Sequence, residues 1–472
     1  MLKKTKIICT MGPACDNEET LKALMQNGMN VARFNFSHGN HEEQKKRFER
    51  LVKVREELGL PVAALMDTKG PEIRLGVFAK GKELLEDGAL FALTTEEIEG
   101  TDQRASITYK DLRKDVKKGS TILINDGLIE LQVEDITETD IICKVIHGGM
   151  VSDRKGINVP GVELSMPYLS EVDTKDILFA VENGFDFIAA SFVRTAGDVK
   201  AIRRLLDEKG SHMKIIAKIE NRQGVDNLDE ILEAANGIMV ARGDMGVEIP
   251  FEEVPHIQKA MIQKANAAKK HVITATQMLE SMIHNPRPTR AEVTDVANAV
   301  YEGTTAIMLS GETAVGKYPV ETVATMSRIA REAERNMDYR HFLEQRELDR
   351  TDDLSSAIAY AACTTAIEIN AAAIITVTIS GSTCKKVASL KPPVPILGGS
   401  MHDDVCRKMS LMWGVQSMHI DKKETEEELF AEAVRISKGH GYIKVGDRVV
   451  IVAGVPLGRV GSTNMIRVID VE

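Results

Sequence analysis

Lys218 and Glu220 in KIIAKIEN and Asp244 in MVARGDMG place a lysine and two carboxylates near the ends of two successive apolar runs. Such a carboxylate pair suits a hard divalent cation. Mg²⁺ takes one or two carboxylates and completes its octahedron with water and substrate oxygens. A lysine beside the pair suits an anionic group in transfer, because phosphoryl transfer depends on positioning and charge neutralisation more than on covalent help. Side chains two apart on a strand share a face. Arg33, Asn35 and Ser37 in NVARFNFSH are therefore expected to point one way, Lys218 to stand beside Glu220, and Arg242 beside Asp244, with Gly243 leaving room for a ligand. Asp67 and Thr68 end one further run, and Thr276 and Glu312 lie at the ends of two others. An internal salt bridge explains any one of these pairs as well; it does not explain several sets at matching positions. No GxxxxGK[ST] loop and no HRD or DFG set is present, so a phosphoryl-transfer site here follows another plan. These residues by themselves reach a metal-dependent enzyme handling a phosphorylated or carboxylated small molecule.

The elements that must hold them follow from hydrophobic rhythm. Eight short apolar runs, at 5–10, 30–36, 62–68, 185–191, 213–220, 237–244, 271–278 and 305–312, alternate with amphipathic helical stretches. Near-continuous apolar strands are those of a parallel sheet covered on both faces. Eight such units predict a (β/α)8 barrel over residues 1–69 and 166–340, with function at the carboxyl ends of the strands, where the polar residues cluster. Residues 70–165 break the rhythm with alternating strand patterns and an Asn125-Asp126-Gly127 hairpin signal, predicting an inserted β domain placed as a lid. Residues 341–472 alternate helix and strand and close on a hairpin, predicting an open α/β domain. The charged stretch 331–353 is the expected boundary, or simply a solvated helix.

Composition narrows the class. At 472 residues the chain holds about three domains. A net charge of −10 argues against nucleic acid as the main partner. No apolar run reaches the length of a membrane span, and the first residues read as a strand, not a signal peptide. Six scattered cysteines without a CxxC pair suit reduced, buried thiols of a cytoplasmic protein. The Met-rich composition and Trp413 read as core packing, and His256, His271 and His284 lack metal-ligand spacing.

MNVARFNFSHG, MDTKGPEIR, IIAKIENRQGV, GIMVARGDMGVEIP, ITATQMLESMIHNPRPTRAE and IMLSGETAVGKYP, in this order, resemble the strand-end motifs of the pyruvate kinase family across nearly the whole chain. The resemblance implies phosphoryl transfer from phosphoenolpyruvate to ADP, with Mg²⁺ (or Mn²⁺) and K⁺ as cofactors. It implies that Arg33 contacts the substrate phosphate and that Lys218 neutralises the phosphoryl group in flight. Glu220 and Asp244 would hold the divalent metal, and Asn35, Ser37, Asp67 and Thr68 the K⁺. Gly243, Asp244 and Thr276 would seat the substrate carboxylate, with Thr276 also near the step that protonates the enolate. His38, Arg74 and Lys155 resemble nucleotide contacts. Glu72 resembles the K⁺-dependent members, in which a carboxylate stands where others carry lysine. The segment Thr378, Ile379, Ser380, Gly381, Ser382, Thr383 resembles a phosphate cradle for an allosteric effector, although on its own it reads as an ordinary helix cap. Ile379 replaces a basic residue of fructose-bisphosphate-activated relatives, and Arg459 in the last loop is a possible charge for it. The resemblance further implies a homotetramer, without the extra C-terminal domain of some relatives. Two other readings stay open: a different phosphoenolpyruvate- or pyruvate-handling metal barrel, and a non-enzymatic metabolite sensor.

Overall fold

The computed structural model describes residues 2–340, 342–343, 353–456 and 461–472. Strands Lys6–Thr10, Val31–Asn35, Ala63–Asp67, Phe187–Ala190, Lys214–Ile219, Gly237–Ala241, His271–Ala275 and Ala306–Leu309 close into a parallel barrel. Their apolar runs are continuous because both faces are covered. Ile8, Val31, Leu65, Phe187, Ile216, Met239, Ile273 and Met308 fill the interior, and the alternate residues pack under the surrounding helices. Each such side chain contributes roughly 1.5–3 kcal/mol by leaving water. Leu411, from the C-terminal part of the chain, joins the interior cluster.

The inserted β domain follows the third barrel strand. A seven-stranded sheet and a two-stranded ribbon surround a separate core containing Phe91, Ile122, Leu131 and Val145. Asn125, Asp126 and Gly127 turn with φ of 57°, 56° and 82° between antiparallel strands Thr121–Ile124 and Ile129–Ile136, as the hairpin signal predicts. The exit from the barrel is fixed at Gly70. Its φ is +75°, and a Cβ there would meet Ser191 at 2.9 Å, so only glycine fits. The Gly70 amide donates to Asp173 Oδ1 at 3.0 Å. Asp173 also belongs to the capping box with Ser170 that starts helix Glu171–Asn183, so one carboxylate ties the lid hinge to the returning chain.

The C-terminal sheet has the spatial order Val415–His419, Ile396–Ser400, Ala373–Val377, Arg448–Gly454, Thr463–Asp470, parallel except for the last, antiparallel strand. It meets the amino ends of the barrel strands: the Gly414 amide donates to Lys4 O, Lys6 Nζ to Val415 O, and Arg407 pairs with Asp186 at 2.9 Å. The charged stretch expected to be a solvated boundary is partly a buried joint. Glu334, in helix Pro319–Arg335, is fully buried and accepts from the Lys4 and Thr5 amides, while residues 344–352 lie outside the described residues.

Lys6 makes this joint pH-dependent. Burial pushes its ammonium down to about 8, against the opposing pull of Glu334. Between about pH 8 and 10.5 the unfolded chain therefore binds more protons at this group than the folded one, so its contribution to stability rises with pH. Lys6→Met removes that contribution. Urea midpoints measured from pH 8 to 10 should climb less steeply in the variant than in the parent; equal slopes would exclude the assignment.

Candidate active site

The carboxyl ends of the barrel strands gather the polar residues into one connected network. Arg33 Nε lies 2.6 Å from Asp67 Oδ2, and Arg33 NH1 donates to Thr10 Oγ1 at 2.9 Å. Lys218 Nζ lies 3.1 Å from Asp67 Oδ1, 2.9 Å from Glu220 Oε1 and 2.8 Å from Ser191 Oγ. Burial alone would raise the Asp67 carboxyl, but the charges of Arg33 and Lys218 outweigh it and hold the group below its ordinary range. Burial likewise works against the Lys218 charge, and Asp67 and Glu220 more than reverse that, keeping it an ammonium. Glu220 is fully buried, and its burial raises the carboxyl against the pull of Lys218, with Asp244 adding to the rise.

Glu220 Oε2 accepts from the Phe192 amide at 2.5 Å, whereas Oε1, near Lys218 but not aligned with it for hydrogen bonding, has no hydrogen-bond partner. The Lys218 ammonium, 2.9 Å away, is the positive group that meets this buried oxygen. Glu220 and Asp244, which follows the neighbouring strand in helix Arg242–Glu248, are the two carboxylates here that could hold a divalent cation. Among the described residues no group of three or more His, Cys, Asp or Glu side chains is placed to hold a metal; a Mg²⁺ ion on this pair would take its remaining ligands from water and substrate oxygens. Asn35 and Asp67 are direct register partners on adjacent strands. With Ser37 and Thr68 they form an all-oxygen set of the kind a hard monovalent cation takes. Asn35 Oδ1 accepts from the Ser37 amide at 3.0 Å, and Thr68 O accepts from Ser191 Oγ at 2.6 Å.

Several expectations are corrected. The strand carrying Arg242 and Asp244 stops at Ala241, and both residues lie in helix Arg242–Glu248, so they do not alternate on one strand face. Arg242 turns away from the mouth: its guanidinium pairs with Asp295 at 2.7 Å and donates to Ala275 O and Thr276 O. It thereby supports Thr276, whose φ of +68° is an outlier for a β-branched residue. Thr276 Oγ1 accepts from the Gly243 amide at 2.8 Å. A Cβ at Gly243 would meet Thr276 only at 3.6 Å, so the protein itself does not crowd that position. Glu312, grouped with the strand-end polar residues, is a turn holder that accepts from the Leu279 and Ser310 amides. Ser191, which links Lys218, Asp67 and Thr68, was not anticipated; its one signal is its place at the end of an apolar run.

A cleft of about 530 Å³ lies between the barrel mouth and the inserted domain, lined by Glu72, Arg74, Lys155, Asn158, Asp244 and Glu248 among others. Arg74 and Lys155 therefore face Asp244 across one space. His38 is exposed on the turn after strand Val31–Asn35 and does not line that cleft. Glu72 is not a free carboxylate: Arg74 NH2 lies 2.7 Å from it. In the C-terminal domain Thr378, Ser380, Ser382 and Thr383 line a cavity of about 490 Å³, and Gly381, with φ +82°, caps helix Ser382–Ser389. Lys422 and Lys423 also line it, supplying the basic charge missing at Ile379; Arg459 lies outside the described residues.

A closed parallel barrel with a buried lysine between acidic residues at its carboxyl ends, and a cleft lined by Asp244, Arg74 and Lys155 under an inserted β domain, defines a barrel enzyme equipped to handle an anionic substrate. The profile described as "Pyruvate kinase, barrel domain" matches residues 2–323, and "Pyruvate kinase, alpha/beta domain" matches residues 356–469. The chain is 48% identical over its whole length to the pyruvate kinase of Clostridium acetobutylicum, all of which is covered. It is 49% identical to that of Geobacillus stearothermophilus over 99% of this chain and 80% of the relative, and 49% identical to that of Sporosarcina psychrophila with the same coverage. The chain belongs to the pyruvate kinase family. That family depends in general on Mg²⁺ and K⁺. No helix among the described residues is long and apolar enough to cross a membrane.

Proposed function

We propose that this chain transfers the phosphoryl group of phosphoenolpyruvate to ADP and releases pyruvate, as a cytoplasmic homotetramer. The observation that carries the reading is the buried Lys218 held charged between Asp67 and Glu220, with Asp244, whose charge acts on both Lys218 and Glu220, lining the cleft that also holds Arg74 and Lys155. Arg33, pinned by Asp67 and Thr10, binds the substrate phosphate. Lys218 stabilises the charge on the phosphoryl group as it passes, in a site where few waters compete for that charge. Gly243, Asp244 and Thr276 orient the substrate carboxylate through the helix amino terminus. Thr276 has no useful acidity near neutral pH, so it positions the proton donor for the enolate and does not titrate. Arg74 and Lys155 bind the nucleotide phosphates, and His38, which does not line the cleft, contacts the nucleotide from outside it. Glu220 and Asp244 would hold Mg²⁺ (or Mn²⁺), and Asn35, Ser37, Asp67 and Thr68 would hold K⁺; these ions supply charge neutralisation and orientation of bound phosphate oxygens. The cavity with Thr378, Ser380, Gly381, Ser382 and Thr383 would take a phosphorylated effector.

A coupled assay for ADP-dependent pyruvate formation tests the reaction. Activity on phosphoenolpyruvate without ADP would point to another barrel chemistry, and none with either would point to a sensor. Glu220→Gln should lower kcat/KM by at least ~10²-fold and weaken Mn²⁺ binding in parallel; unchanged Mn²⁺ affinity would remove Glu220 from the metal site.

A further inference from the structure

The chain returns from the inserted domain to the barrel through residues 164–168, a strap without regular structure that both domains grip. The inserted domain holds Ser165. Its amide and its hydroxyl both donate to Asp115, at 3.0 and 2.8 Å, and Tyr109 donates to the same carboxylate at 2.7 Å. The barrel holds the neighbours. Arg194 Nη1 donates to Leu164 O and to Met166 O, each at 3.0 Å, and the Tyr168 hydroxyl donates to Ser191 O at 3.0 Å. Asp198, part of the capping box that starts helix Ala196–Glu208, lies 3.3 Å from Arg194 Nε and 3.4 Å from Nη2. The guanidinium fork is thus fixed from behind while its free edge holds two strap carbonyls.

Ser191 and Arg194 are the two ends of one turn, and that turn reaches the candidate site. Ser191 Oγ accepts from Lys218, and the Phe192 amide donates to Glu220 Oε2 at 2.5 Å. Phe192 does this with φ of +53°, a left-handed conformation that a bulky side chain rarely takes and that persists only where the surroundings enforce it. The strap enforces it from one side. From the other, Asn227 Nδ2 donates to Arg194 O at 2.9 Å, and a Cβ at Gly224 would meet Val193 O at 2.6 Å, so the helix that follows Glu220 packs directly on the turn. Released from the strap, the turn can relax toward negative φ, and the amide that orients Glu220 leaves it. We propose that Arg194 is a positioning residue: it transmits the seating of the inserted domain, through the Phe192 turn, to the alignment of Glu220. This rests on the reading of Glu220 as a metal ligand given above.

Mn²⁺ binding to the full chain without substrates, read by electron paramagnetic resonance, tests it. Arg194→Gln should weaken Mn²⁺ by about 10-fold, the size of loss that follows when the support of a metal ligand is removed. On a Glu220→Gln background the same substitution should cost nothing more, because Arg194 acts through that carboxylate; a general loosening of the fold would multiply the two losses. Ser165→Ala cuts the strap from the inserted domain at an exposed residue that does not line the cleft. It should weaken Mn²⁺ in the parent and add nothing to Arg194→Gln. Should Arg194→Gln fold poorly, Tyr168→Phe, which deletes one hydroxyl of the same tie, repeats the cycle with the same expected direction. Unchanged Mn²⁺ affinity in Glu220→Gln would remove the metal role of Glu220 and so the reading of the site beneath this inference. A normal Glu220→Gln loss beside an Arg194→Gln or Ser165→Ala protein that binds as the parent does, or losses that multiply in the double variant, would overturn the inference alone.

Discussion

Lys218→Met should reduce turnover by a factor on the order of 10³–10⁵, the range seen when the cation stabilising a transferring phosphoryl group is removed. The side chain is 10% exposed and its ammonium lies within about 3 Å of three oxygens, while the nearby Arg33 guanidinium is held by Asp67 Oδ2 and Thr10. Methionine keeps the volume and deletes only the charge. The deletion leaves Asp67 and Glu220 less compensated, at a cost of up to about 3–5 kcal/mol if neither carboxylate protonates. Because Lys218 currently competes for Glu220 Oε1, Mn²⁺ measured by electron paramagnetic resonance should bind the variant at least as tightly as the parent. Near-normal turnover in a folded, Mn²⁺-binding variant would refute the role of Lys218 in transfer. Loss of both turnover and Mn²⁺ binding would instead mark it as a structural bridge.

Replacing K⁺ with tetramethylammonium should cost at least ~10²-fold in kcat, because the oxygen set formed by Asn35, Ser37, Asp67 and Thr68 admits a small desolvated ion and excludes a bulky one. The dependence should weaken in Glu72→Lys, which replaces the carboxylate of the K⁺-dependent pattern with a fixed ammonium. The structure refines this expectation. Arg74 already pairs with Glu72, so the carboxylate is not free in this structure. Full turnover without K⁺ in the parent chain would remove the monovalent site from the mechanism.

The barrel was legible because parallel strands buried on both faces leave a signal that survives in a single sequence, and Lys218, Glu220 and Asp67 were legible because charge at the end of an apolar run is conspicuous. Ser191 was not, since a neutral serine at a strand end carries no such contrast, though it touches three members of the site. Arg242 and Asp244 misled because alternation persists on paper past Ala241, where the backbone has already turned into a helix. The pairing of Asn158 with Glu248, at 2.8 Å, depends on how the inserted domain sits over the mouth, which local patterns do not encode. Lys422 and Lys423 were not singled out in the sequence; they reach the cavity lined by Ser382 only through the folded sheet.

The six cysteines have a practical corollary. Cys9 and Cys15 belong to the barrel, Cys143 to the inserted domain, and Cys363, Cys384 and Cys406 to the C-terminal sheet, and all are shut away from solvent. Burial also suppresses the thiolate at each of them. An alkylating reagent consequently meets an inert surface, and each adduct it leaves records a moment when that particular layer had come apart. Mass mapping of those adducts over time would order the loosening of the three layers without introducing a single foreign probe.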